Sequence, residues 1–97
     1  MEFLSEPGRF YLENPEHQLL AEITFQSIAD DTAYSIDHTF VDESLRGQGI
    51  AAQLVDAVVQ KARAEHKMIQ PLCTYAVHSF ETHPEYADIW RKGSGLS

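Results

Sequence analysis

Hydrophobic positions alternate near the start of the chain and change period in its middle. Arg9 to Glu13, with Phe10, Tyr11 and Leu12, and Gln18 to Gln26, with Leu19, Leu20, Ile23 and Phe25, read as strands. Asn14-Pro15-Glu16 between them reads as a turn, so the pair predicts an antiparallel hairpin. A third strand is expected from about Thr32 to Val41, after the turn Asp30-Asp31. Alternation there puts Tyr34, Ile36, His38 and Phe40 on one face, and Ser35, Asp37 and Thr39 on the other. Ile50, Leu54, Val55, Val58 and Ala62 then recur at three- and four-residue intervals, which predicts an amphipathic helix from about Gln48 to His66. Lys61, Arg63 and Lys67 lie near its end, where the dipole favours cations. Met68 to Cys73 reads as a fourth strand, and Pro71, with no N–H to donate, makes it an edge strand or breaks its ladder. Tyr75 to Glu81 suits a short helix. Pro84 starts another, with Tyr86, Ile89 and Trp90 on one face, and the tail Lys92 to Ser97 is expected to be loose.

The order is β-β-β-α-β-α-α, an α/β chain with an antiparallel meander and one right-handed parallel crossover. Ninety-seven residues fit one domain, residues 1–97 with a core over about 8–90, and 43% hydrophobic content is enough to pack it. The single cysteine excludes an internal disulfide framework and any cysteine-based zinc site. No run approaches the roughly 18 apolar residues of a membrane span, and the first six residues are no signal peptide, so a cytoplasmic protein without a membrane partner is expected. Charge narrows the partners further. Seven basic against fifteen acidic residues give −8, which argues against nucleic acid. Residues 1–43 hold ten acids against Arg9 alone, a net of −9, so the front half suits a cationic partner.

The informative segment is Arg46-Gly47-Gln48-Gly49-Ile50-Ala51-Ala52, between a strand and a helix. Two glycines one residue apart let backbone approach a ligand closely, and the helix start points free N–H groups and the positive dipole end at the same place. With Arg46 these describe an anion site, most naturally for phosphate; a plain glycine turn capping the helix is the alternative. The loop lacks the Gly-Lys-Ser/Thr of a P-loop. It matches the spacing G-x-G-x-x-A of dinucleotide folds, but Asp42 to Leu45 separate it from the strand, the next strand ends without the ribose-binding acid, and the chain has room for one crossover only.

Val41-x-x-x-x-Arg46-Gly47-Gln48-Gly49-Ile50-Ala51-x-x-Leu54 resembles the acetyl-CoA signature of the GNAT superfamily of N-acetyltransferases, [Q/R]-x-x-G-x-[G/A]. Pro71-Leu72-Cys73 and His83-Pro84-Glu85-Tyr86, in that order, are similar to the small single-domain members of about 100 residues, and the likeness covers about residues 8–90. The resemblance implies a short GNAT-like α/β fold and acetyl-CoA, or CoA, as the cofactor. Its diphosphate would be held by Arg46, Gly47, Gln48, Gly49, Ile50 and Ala51, and its pantetheine would pair with the strand end near Phe40 and Val41. It also implies transfer to an amine, carried by a small molecule or a peptide such as an exposed lysine. The helices that build an acceptor pocket in full-length members have no counterpart in this sequence, nor do the later strands.

Such a transfer needs a neutral nucleophile, a polarised carbonyl and a proton for the leaving thiolate. Cys73 is the first candidate: it precedes a helix whose start favours an anion, Thr74 is placed to cap that helix, and thioester exchange onto a thiol is close to thermoneutral. The resemblance points to the same cysteine. A small buried hydrophobe is the alternative reading of a lone cysteine. His38 is placed to take the amine proton, and Tyr75 to protonate the CoA thiolate, as tyrosines on the corresponding helix do in larger members; core roles for both are the alternative. His78 and His83 are five apart, on different helix faces, so no metal site is expected. The two functional classes left open are an N-acetyltransferase and a CoA- or partner-binding module without catalysis.

Overall fold

The computed structural model describes residues 2–92. Five strands make one sheet: β1 (Leu4–Glu6), β2 (Arg9–Glu13), β3 (Leu19–Ile28), β4 (Ala33–Val41) and β5 (Met68–Pro71). Helix α1 (Ile50–Ala64) carries the chain from β4 to β5, and α2 (Thr74–Thr82) and a 3-10 helix (Pro84–Ile89) follow. Strand order in the sheet is strand order in the chain, with β1 to β4 antiparallel and β5 parallel to β4. The expected architecture of a meander and one crossover is present.

Three details depart from the expected order β-β-β-α-β-α-α. The meander has an additional first strand, β1, turned onto β2 by Pro7-Gly8 with Glu6 facing Arg9. Its three residues are all exposed, so no burial pattern marks it; the Pro-Gly pair was its only signal. The last expected α-helix is a 3-10 helix. Helix α1 begins at Ile50 rather than Gln48, because Gly47 and Gly49 take positive φ angles of 84° and 74°. The tail expected to be loose lies, beyond Lys92, outside the described residues.

The fourth departure matters most for the site. The β3–β4 register pairs Thr24 with His38 but Phe25 with Ile36, so Asp37 is an extra residue, a β-bulge. Alternation resumes on the opposite face after it. Tyr34 and Ile36 face the core beside Phe25, whereas His38 and Phe40 lie opposite Thr24 and Glu22 on the uncovered face. Thr39 and Val41 take the core side, opposite Ile23 and Ala21. The expectation that Tyr34, Ile36, His38 and Phe40 share a face is therefore corrected.

All the helices pack on one side. Ala21, Ile23, Phe25 and Ile36 from the sheet meet Leu54, Val55, Val58 and Ala62 of α1 and Ala76 and Phe80 of α2 in one buried cluster. Burial of each larger side chain there contributes roughly 1.5–3 kcal/mol. The expected apolar face of the last segment holds: Tyr86 and Ile89 are buried, and Trp90 stacks edge-on against Phe80 at 5.7 Å. Among the described residues no helix is long and apolar enough to cross a membrane.

The far end of α1 is tied down by charge. Lys61 donates to Glu65 at 2.7 Å, the Tyr34 hydroxyl donates to Glu65, and Lys67 reaches Asp31 at 2.7 Å and Glu65 at 3.4 Å. Lys61 first, then Tyr34, hold the Glu65 carboxyl down to about 2. A folded value below the unfolded one, near 4.5, means this stabilisation is complete above pH 4.5 and is lost as pH falls toward 2. Thermal midpoints should therefore drop across that window, and Glu65→Gln should flatten the drop; an identical pH profile for the variant would show that the network contributes nothing.

The β3–β4 turn holds three consecutive residues with positive φ, Ala29 (55°), Asp30 (55°) and Asp31 (67°). Aspartates tolerate this conformation, but alanine is strained there by about 1–2 kcal/mol. Ala29→Gly should remove that strain against about 0.5–1 kcal/mol of added chain entropy. The expected outcome is a midpoint raised by about 4 °C in a thermal melt. A lower midpoint would overturn the assignment of strain.

Candidate functional site

Strands β4 and β5 are paired for four residues only, from Ala33–Met68 to Ile36–Pro71. Pro71 carries no N–H, and the next two amides, of Leu72 and Cys73, both converge on the Ile36 carbonyl at 2.9 and 3.3 Å. The chain then turns away into α2 while β4 runs on to Val41. A wedge opens between the two strands. Asp42 donates to the Leu20 carbonyl, so alternation assigns the ladder bonds of β4 toward β3 to Phe40 and His38. Thr39 and Val41 accordingly turn their N–H and C=O groups into the wedge, a row of open strand-edge groups.

The glycine loop lies at the wide end of this wedge, at the carboxyl ends of two parallel strands. Asp42 caps a 3-10 turn (Glu43–Leu45), accepting from the Ser44 amide at 3.0 Å and from the Ser44 hydroxyl at 2.6 Å. Those bonds, ahead of the weaker effect of Arg46, lower its carboxyl below the usual range. Arg46 is exposed and, among the described residues, makes no salt bridge. Gly49 occupies the N-cap position of α1 and offers no side-chain cap. From Gly47 to Ala52, six successive N–H groups donate to no acceptor among the described residues. A Cβ on Gly47 or Gly49 would project into open space, with nothing within 4 Å. Six unpaired amides, a helix N-terminus and a guanidinium without a salt bridge lie on one short segment, which suits an anion carrying several oxygens.

Cys73 stands at the point where the strands part. It occupies the N-cap position of α2, so Thr74, expected to cap that helix, is instead its first residue. Its partly buried Sγ is 3.5 Å from Thr39 Oγ1, on the core side of the sheet. Tyr75 follows on the first turn of α2, 38% exposed, and its hydroxyl has no partner among the described residues. His38 is exposed on the uncovered face, so the structure does not bring it to the same side of the sheet as Cys73. Phe40 shares that face and is 36% exposed. His78 is exposed on α2, and His83 stacks on Tyr86 at 5.1 Å.

Two groups at the wedge escaped the sequence reading. Thr39 meets the thiol, and Asp37 accepts from Ser35 Oγ at 2.8 Å and Gln26 Nε2 at 2.9 Å. Neither has a local signature, since both owe their place to the bulge. Two cavities lie elsewhere, one beside Arg63, His66 and Asp88 and one beside Pro7, Phe10 and Lys61. The wedge outranks them as a site because an extended ligand bound along a strand edge needs no enclosed volume, and the free amides are there.

Comparison with known proteins bears on the fold. The profile of the GCN5-related N-acetyl-transferase family matches residues 9–89. The solution structure of a GCN5-like protein from Staphylococcus aureus is 36% identical, over 92% of this chain and 86% of that one, with a TM-score of 0.77. A Mycobacterium tuberculosis protein crystallised in complex with CoA shares the fold at 21% identity and a TM-score of 0.62; the match covers 79% of this chain and 47% of that one. A ribosomal-protein-alanine N-acetyltransferase from Brucella melitensis shares it at 21% identity and a TM-score of 0.57, over 92% of this chain and 66% of its own. No curated protein matches the chain.

Proposed function

The chain belongs to the GCN5-related N-acetyltransferase family and is an acetyl-CoA-dependent acyltransferase; from that premise we propose that it acetylates the amine of a cationic acceptor at the β4–β5 wedge. The observation that carries the reading is the run of six unpaired amides from Gly47 to Ala52 at the mouth of that wedge. Residues 1–97, with their core over about 8–90, form the single domain that does this. The proposal includes a cytoplasmic location.

The residues present fit the cofactor. The amides of Gly47, Gln48, Gly49, Ile50 and Ala51 are free to receive diphosphate oxygens, with Arg46 adding a fixed cation. Val41 and Thr39 offer the open strand edge to the amide groups of pantetheine, and Phe40 lends its exposed ring beside them. Bound acetyl-CoA supplies a thioester carbonyl carbon that an amine can attack. In this reading His38, exposed at the bulge, takes the proton of the incoming amine as the N–C bond forms. In the same reading Tyr75, on the first turn of α2, returns a proton to the sulfur as the C–S bond breaks. Cys73 supports a second route, because its thiol lies at the fork of the wedge: Sγ bonds the thioester carbon as CoA leaves as its thiol with the Cys73 proton, and the amine then displaces Sγ and returns a proton to it.

Gly49→Val should abolish CoA binding in calorimetry, because it puts a branched side chain at a positive φ and in the anion's path. Arg46→Ala should weaken binding by roughly 1.5–3 kcal/mol, the worth of one charge-assisted contact. Undiminished affinity in a folded Gly49→Val variant would remove the central claim. Binding without acetylation of any amine would leave a CoA-binding module.

For Cys73, intact mass after incubation with acetyl-CoA and acid quench should show one acetyl group, absent in Cys73→Ala. No adduct, with turnover kept in the variant, would eliminate the covalent route and leave direct attack.

A further inference from the structure

Thr39 stands half-buried between His38 and Phe40, both exposed, and its hydroxyl has one partner among the described residues, the Cys73 sulfur at 3.5 Å. The sulfur likewise has no other hydrogen-bond partner among them, and it makes no capping bond to α2. The two residues are 34 apart in the chain, and the bulge at Asp37 brings them together. Without that extra residue Thr39 would turn to the uncovered face. Both partners are held. Thr39 pairs with Ile23 on β3, and its branched side chain has few rotamers to choose from. Cys73 donates its amide to the Ile36 carbonyl at 3.3 Å and accepts from the Val77 amide at 3.0 Å. Packing alone does not call for a hydroxyl here, since valine has nearly the same shape, and a partly buried hydroxyl costs stability unless it finds a partner. Its partner is the thiol.

We infer that Thr39 is a positioning residue for acyl transfer: its hydroxyl holds the Cys73 sulfur at the fork of the wedge and meets the charge that develops there. This role rests on the covalent route proposed above. In the resting pair the hydroxyl accepts from the S–H or donates to the sulfur, and it switches by turning about its Cβ–Oγ1 bond. As Sγ bonds the thioester carbon, its proton goes to the departing CoA sulfur, and Sγ carries negative charge on the way. Thr39 donates to Sγ at that stage and loses no proton itself. Once acetylated, Sγ has no proton and little negative charge, so it holds the hydroxyl weakly. When the amine displaces it, Sγ is charged again until a proton returns. The contact is therefore stronger at each displacement than in the acetylated state, the condition under which a contact accelerates a step. No charged side chain hydrogen-bonds the sulfur among the described residues, so this hydroxyl is the group at hand.

The test uses the intact chain and two variants that keep the main chain of β4. Thr39→Val removes the hydroxyl and keeps the shape; Thr39→Ser keeps the hydroxyl and loses the methyl. Should Thr39→Val fail to fold, Thr39→Ala takes its place. Acetylation of Cys73 is followed after mixing with acetyl-CoA, by intact mass under acid quench, and CoA affinity is measured by calorimetry. Thr39→Val should slow acetylation about tenfold at unchanged CoA affinity, and Thr39→Ser should restore the rate. Alkylation of the thiol by iodoacetamide, without cofactor, should be slowed in Thr39→Val and not in Thr39→Ser. Equal rates in the unaltered chain and Thr39→Val would overturn the inference and leave the covalent route standing. So would a Thr39→Ser variant as slow as Thr39→Val, or CoA affinity falling in step with the rate. No acetyl adduct on the unaltered chain would remove that route, and the role of Thr39 with it.

Discussion

Strands β4 and β5 stay together for four residues and then part, and the Ile36 carbonyl marks the place. It accepts from two successive amides, Leu72 and Cys73, while Pro71 has none to give. Nothing further on β5 is available to β4, so the outer edge of β4 runs on unpaired to Val41. Had the ladder continued, the main-chain groups of Thr39 and Val41 would be spent on a neighbour, and Cys73 would stand farther along. The unmade bonds cost little here, because open strand-edge groups remain in contact with solvent until a ligand takes them.

What could be read in the chain, and what could not, divides along locality. The loop from Arg46 to Ala51 was legible because its information is contained in adjacent residues: two glycines that take positive φ and a helix directly behind them. The crossover, α1 and the edge position of the strand holding Pro71 were legible for the same reason. The bulge was not. Asp37 reads as an ordinary strand residue, and its surplus exists only relative to β3, where Phe25 pairs with Ile36 and Thr24 with His38. Strict alternation therefore placed His38 and Phe40 on the face of Tyr34 and Ile36 and missed Thr39 beside the thiol. Strand β1 was missed because its residues bury nothing.

Helix α1 is finished differently at its two ends. At its C-terminal end, Lys61 and Lys67 hold Glu65, which also accepts from Tyr34. At its N-terminal end the cap position is Gly49, with no side chain to satisfy the first amides. A serine or aspartate cap at that position is typically worth about 0.5–2 kcal/mol to a helix. The chain forgoes that stabilisation at the end where the proposed anion site uses bare amides, and keeps its charge network at the other.

The strand order, identical to the order of synthesis, has a kinetic consequence. Each of the first four strands pairs with the one just made, so the meander closes by short hairpins with little loop entropy. Only the segment from Asp42 to Lys67 must swing across the sheet before β5 can dock. The wedge has two walls, and the second arrives with that last closure. Local opening of β5 and α2 therefore removes the wall that carries Cys73 and Tyr75, with the meander and the open edge of β4 still standing.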